Sequence, residues 1–222
     1  MNDKPKILLA VPSMDLCATP FAMSLAMLTA YTAARGICYI QLANISGSLI
    51  YAARDKLVGQ AIKTECDYIM WFDSDMTFDQ NTLERLLKTA EEYNADIVSG
   101  LYFRRSPPYT PVAFSDFKMV EGEPHGKHKD YDGELTGVHE VGAVGFGCVL
   151  TSVDAVLDIL AKDKTCFSPI GMVGEDLAFC WRARELGYKV LLDCDIKCGH
   201  VGHVVVKQEL YESLGGDNES KS

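Results

Sequence analysis

Along the first half of the chain, apolar positions switch between two periods. "KILLAVPS" (6–13) is an almost unbroken apolar run, the pattern of a strand buried on both faces. "FAMSLAMLTAYTAARG" (21–36) moves to helical spacing and closes on Gly36, the residue type that most readily takes the left-handed turn after a helix. "ICYIQLANI" (37–45) predicts a second strand. Ser48 is placed to cap "LIYAARDKLVGQAIKTE" (49–65), where Ile50, Ala53, Leu57 and Ala61 recur at helical spacing and leave Arg54 beside the apolar stripe. "DYIMWFDSD" (67–75) predicts the third strand. Asn81 and Glu84 make a capping-box pattern for "TLERLLKTAEEYN" (82–94), with Leu83, Leu86, Leu87 and Ala90 on one face, and "ADIVSGLYF" (95–103) returns to strand. This β-α-β-α-β-α-β series predicts a three-layer α/β/α fold around a central, mostly parallel sheet, an architecture whose ligands collect at the carboxyl ends of the strands.

The second half is less regular. "SPPYTP" (106–111) is a proline-rich break, "VAFSDFKMV" (112–120) predicts a strand, and "EGEPHGKHKDYDGELTG" (121–137) reads as a long polar loop carrying His125 and His128 as solvated residues. "VGAVGFGCVLTS" (141–152) is strand-like. Its Gly142, Gly145 and Gly147 do not form a dinucleotide fingerprint, and fit either a close backbone approach to a ligand or a bulged strand. "GEDLAFCWRARELGYKV" (174–190) predicts a helix with Glu175 and Asp176 in its first turn, stopped by Gly187 before another strand. Acids there also serve simply to offset the helix dipole.

The candidate chemistry starts at Asp73-Ser74-Asp75, where a hydrophobic strand ends. Residues two apart in extended chain point the same way, so Asp73 and Asp75 are placed to address one ion. Adjacent carboxylates repel, and a divalent cation is the common means of keeping both ionised; the plainer alternative is a polar turn into the next helix.

The eight cysteines lie mostly in apolar patterns and read as reduced thiols. Cys194, Cys198, His200 and His203 crowd into ten residues, too close for the usual two-pair wrapping of zinc. At 222 residues and 48% hydrophobic, the chain is long enough for a sizeable core. Its net charge of -10 with no basic cluster argues against a bare nucleic-acid binder. The absence of a membrane-length apolar run or signal-type start makes a soluble, cytoplasmic protein the expectation.

Together, "DYIMWFDSDMTF", "GEDLAFCWRARELGYKV" and "CGHVGH" resemble the ordered motifs of metal-dependent GT-A glycosyltransferases, especially family 2 members and Anp1-type mannosyltransferases. The resemblance covers residues 6–205. It implies a single GT-A domain over 1–222, with a nucleotide-binding part at about 1–105, an acceptor and catalytic part at about 106–205, and a polar tail at 214–222. It further implies a UDP- or GDP-sugar donor and a Mn2+ or Mg2+ ion held by Asp75, Asp73 and His200, with His203 the alternative histidine and Asp73 contacting the ion or the ribose. Val11 and Pro12 match the cradle of the nucleotide base, Ser74 joins the donor-side residues, and Arg54 matches an arginine that meets the nucleotide. Asp176, with Glu175 alongside, matches the base that takes the acceptor's proton. No Q-x-x-R-W motif follows the acidic helix, which argues against a processive polymer synthase. The mixture of inverting and retaining relatives leaves stereochemistry open, as it does the acceptor (saccharide, lipid, protein or modified DNA base) and the oligomeric state.

Two rival readings accompany this one. "IMWFDSDMTF" also fits the haloacid-dehalogenase phosphatase signature, with Asp73 as nucleophile and Asp75 as general acid. That signature normally occupies the first strand, whereas here it lies on the third, and "GEDLAF" lacks that family's second aspartate pair. A non-catalytic sugar- or nucleotide-binding module is the other.

Overall fold

The computed structural model describes residues 4–120 and 123–202. The opening series is present: β1 (Lys6–Ser13), α1 (Thr19–Arg35), β2 (Tyr39–Ser46), α2 (Ile50–Lys63), β3 (Tyr68–Phe72), β4 (Met76–Thr77), α3 (Thr82–Tyr93) and β5 (Ile97–Leu101). After it come β6 (Ala113–Val120), β7 (Glu123–Asp130), β8 (Val138–Val141), β9 (Ala143–Val144), β10 (Cys148–Ser152), α4 (Val153–Asp163), α5 (Glu175–Glu185), β11 (Val190–Lys197) and β12 (Gly199–His200).

Seven strands form the main sheet in the order β2-β1-β3-β10-β5-β11-β8. β1, β2, β3, β5 and β11 run the same way, while β10 and β8 run against them. The expectation of a mostly parallel sheet therefore stands, with one refinement. β10 inserts antiparallel between β3 and β5, so the fourth strand of the opening series is not the neighbour of the third. Nothing in the local pattern near residue 150 announces that long-range placement.

The unbroken apolar strands are explained by burial on both faces. In β1, Ile7, Leu9 and Val11 enter the core that includes Phe21, Leu28, Leu83 and Leu86 of α1 and α3. Leu8 and Ala10 enter the opposite core with Leu57, Val156 and Phe179 of α2, α4 and α5. In β3, Met70 and Phe72 face the first core and Ile69 and Trp71 the second, where the Trp71 indole N–H donates to Thr151 Oγ1 at 3.0 Å. No helix of the described residues is long and apolar enough to cross a membrane.

Several local expectations are corrected. Ser48 does not cap α2: Leu49 holds that position, and its carbonyl accepts from Ala52 and Ala53 without any side-chain cap. Asn81 is the N-cap residue of α3 but makes no capping bond. Glu84 does not close the box either, because the Tyr31 hydroxyl donates to it at 2.7 Å and Arg35 lies 3.7 Å away, so tertiary partners displaced the local motif. The polar stretch 121–137 is not simply a loop: Glu123–Asp130 pairs with β6 as a hairpin strand, and β6 continues to β9 in a three-stranded sheet. Its polar sequence carries no apolar period that would mark it as a strand.

Candidate active site

The strands' carboxyl ends open on a cavity of about 1070 Å³. Asp73, Ser74 and Asp75 project into it from the turn after β3, and that turn is pinned by backbone from three directions. Asp73 N–H donates to Gly147 O at 3.1 Å, Ala18 N–H to Ser74 O at 2.9 Å, and Val201 N–H to Asp75 O at 2.8 Å. β4 and β12 then pair antiparallel, Gly199 opposite Thr77 and His200 opposite Met76. A Cβ on Gly199 would overlap Thr77 Oγ1 and force that side chain to move, so glycine favours this approach, and the approach sets His200 beside Asp75. Gly142, Gly145 and Gly147 serve packing too. A Cβ at Gly142 would lie 2.6 Å from Phe117 N, and Cβ atoms at the other two would run into Tyr102, whose buried hydroxyl accepts from Gly147 N–H at 3.0 Å.

The two aspartates diverge. Asp73 Oδ1 accepts from Arg54 Nη2 at 2.8 Å, and Arg54 Nη1 donates to Glu175 Oε1 at 2.9 Å. Arg54 is only 2% exposed, with its guanidinium 5.3 Å from the Phe146 ring centre and 5.7 Å from that of Phe167. Burial disfavours its charge, but Asp73, Glu175 and Asp176 outweigh burial and raise its proton affinity. The guanidinium thus ties the β3 turn to the first turn of α5, and its two terminal nitrogens are spent on protein carboxylates. Arg54 is a buried linker and not a surface arginine.

Asp73 keeps a third of its side chain open to the cleft, yet its carboxyl is deep enough that desolvation raises its pKa despite Arg54. Asp176 sits one residue into α5, accepting from Leu177 N–H at 2.8 Å. Desolvation, against the pull of Arg54, pushes its carboxyl up to about 6.

Asp75 looks the other way. Its Oδ2 meets Arg105 Nη1 on one side and His200 Nε2, at 3.4 Å, on the other. Despite partial burial, His200 and Arg105 hold its carboxyl below the usual carboxylate range. The His200 Nδ1 lies 3.0 Å from the Phe103 carbonyl, and the bond to Asp75 raises the imidazole's pKa against the effect of burial.

Pro12, Ser74, Glu175, Asp176 and His200 all line the cavity, whereas Val11 is 5% exposed and packs in the α1 and α3 core. His203 and the tail 214–222 lie outside the described residues. Cys194 and Cys198 enter opposite cores, and all eight cysteines are free thiols, so they do not converge on a zinc ion.

Residues 27–152, more than half of the chain, match the family described as Glycosyl transferase family 2. The chain belongs to this family. No curated protein matches it. Among solved structures it is similar to A197 from STIV, at 14% identity and TM-score 0.56, over 91% of this chain and 97% of that one. It is also similar to GalNAc-T7 with UDP, GalNAc and Mn2+, at 9% identity and TM-score 0.59, over 90% of this chain and 44% of that one. These are likenesses of fold, and the fold of this family 2 chain is GT-A.

Among the described residues, no group of three or more His, Cys, Asp and Glu side chains is gathered closely enough to encage a metal. The partial set still fits a divalent cation shared with a ligand. With Nδ1–H donating to Phe103, His200 turns Nε2 toward Asp75, the orientation that a ligating imidazole needs. Two protein ligands with the rest supplied by substrate phosphates is the usual Mg2+ or Mn2+ arrangement, and an imidazole among them favours Mn2+. Arg105 and Tyr102 were missed by sequence reasoning. The one available signal was the Arg104-Arg105 pair directly after a buried strand, at the sheet edge where ligands bind.

Proposed function

We propose that this family 2 chain moves a sugar from a nucleotide-diphosphate donor to a hydroxyl acceptor with the help of a divalent cation. The observation that carries the reading is the convergence of Asp73, Asp75, Glu175, Asp176 and His200 on one cavity at the carboxyl edge of the sheet. The GT-A likeness to a protein solved with UDP, GalNAc and Mn2+ supports it.

Asp75 and His200 hold Mn2+ or Mg2+ in this reading, with Asp73 close by on the ribose side. The ion supplies Lewis-acid stabilisation of the negative charge that develops on the departing diphosphate. Pro12 and the Val11 backbone border the nucleotide base, and Ser74 faces the donor. Arg54 acts as a positioning residue, fixing Asp73 and Glu175 relative to each other rather than reaching the nucleotide. Asp176 accepts the acceptor's proton, because a carboxyl poised near 6 is largely ionised at neutral pH and more basic than an ordinary one. The chain acts as one unit, with donor residues before about residue 105 and acceptor-side residues after it.

The test is a screen of UDP- and GDP-sugars with Mn2+, read first as thermal stabilisation and then as donor consumption with a panel of hydroxylated acceptors. Donor-dependent stabilisation that requires Mn2+ and Asp75 supports the reading. Stabilisation without turnover points to a binding module, and phosphate release from simple phosphomonoesters instead would overturn it.

A further inference from the structure

Arg105 lines the same cleft as Arg54, and its setting differs. It stands on a short hairpin beyond β5, closed by Val112 N–H to Tyr102 O at 2.9 Å and Arg104 N–H to Thr110 O at 3.0 Å. The hairpin's backbone is fixed against the segment that carries His200: a Cβ on Gly202 would lie 3.2 Å from Arg105 Cβ. The side chain itself is 57% exposed and lines the cavity, so the base of the residue is anchored while its guanidinium faces open space beyond its ion pair with Asp75.

Its Nη1 meets the same carboxylate oxygen, Asp75 Oδ2, that His200 Nε2 faces. A guanidinium and a divalent cation drawn to one oxygen repel each other, so a cation arriving at Oδ2 loosens the Arg105 contact. A displaced guanidinium stays in the cleft, and its planar fork matches phosphate oxygens.

We propose that Arg105 is an exchangeable counter-ion: it neutralises Asp75 in the resting protein, yields that oxygen to the incoming cation, and moves its guanidinium onto the donor's diphosphate. This rests on the metal reading above and adds to it a residue that links cation entry to diphosphate capture. Two opposite effects on binding follow from one substitution. Removing Arg105 deletes a competitor for Asp75, which tightens binding of the bare cation. It also deletes a phosphate partner, which weakens binding of the diphosphate.

The experiment uses the full chain with two probes, Mn2+ alone and inorganic pyrophosphate in saturating Mn2+, each titrated by calorimetry and by the electron-spin signal of free Mn2+. Pyrophosphate makes the result independent of the nucleotide. For Arg105→Ala, Mn2+ affinity is expected to rise about three- to fivefold, the factor a half-exposed ion pair supplies. Pyrophosphate affinity is expected to fall about 10- to 100-fold, the scale of a lost charged hydrogen bond. Arg105→Lys, which keeps charge without the fork, is expected to fall between wild type and Arg105→Ala with pyrophosphate. If Arg105→Ala changes neither affinity, or shifts both the same way, while Asp75→Asn still abolishes Mn2+ binding, the counter-ion role is overturned and the metal site survives. If Asp75→Asn binds Mn2+ as wild type does, both are overturned.

Discussion

Asp73 and Asp75 are separated by one residue, and the cleft treats them in opposite ways. Asp73 is held from below by Arg54, itself 2% exposed and shared with Glu175, and desolvation raises its pKa. Asp75 is held from the open side by Arg105 and His200, and its pKa is lowered. The first belongs to a network that joins two elements 121 residues apart in the chain, Arg54 on α2 and Glu175 on α5. The second belongs to a group whose partners, Arg105 and His200, line the cavity wall. A pair of identical side chains has been divided into one tied to the buried floor of the site and one paired at the cavity wall.

Breaking the floor has the largest expected effect. Arg54→Met leaves Asp73 and Glu175 without their shared cation, and loss of one partner from such a buried network costs about 3–5 kcal/mol. Urea unfolding measures it, and a loss under about 1 kcal/mol would remove the distinction between floor and wall.

Next comes the acid beside that floor. Asp176→Asn is expected to slow transfer about 100- to 10,000-fold while leaving donor affinity intact, the usual contribution of a general base. In the wild type, kcat should fall as pH drops through about 6, where Asp176 takes up its proton. The same group affects stability with the opposite sign. Its pKa is raised in the folded chain above that of an ordinary aspartate, near 4, so the folded state binds the proton more tightly. Lowering the pH from above about 6 toward about 4 therefore favours folding as far as Asp176 is concerned. A kcat limb that shifts or vanishes in Asp176→Asn sharpens the assignment, and an unaltered pH profile with full activity ends it.

Smaller effects separate the two aspartates directly. Asp73→Asn keeps an acceptor for Arg54 but removes a charge from the network, with an expected cost of about 1–3 kcal/mol. Asp75→Asn is expected to cost less than about 1 kcal/mol, because its arginine partner is more than half exposed. It should nevertheless lose Mn2+-dependent donor binding. Equal unfolding costs for the two variants would contradict the contrast.

What the chain determined by itself was whatever depends on neighbours in sequence. The apolar runs at Ile7–Val11 and Ile69–Phe72 identified strands covered on both faces, and Gly36 marked the end of α1 with a left-handed φ of 59°. The Asp73-Ser74-Asp75 turn and the acidic first turn of α5 identified where chemistry could sit. Tertiary structure decided everything that depends on partners far along the chain. It placed β10 between β3 and β5, gave Glu84 to Tyr31 instead of its own cap, turned part of a polar stretch into a hairpin arm, and brought Arg105 onto Asp75. The reason is physical: periodicity records which faces of a segment are dry, but a charge acquires its proton affinity and its role from the groups the fold sets around it.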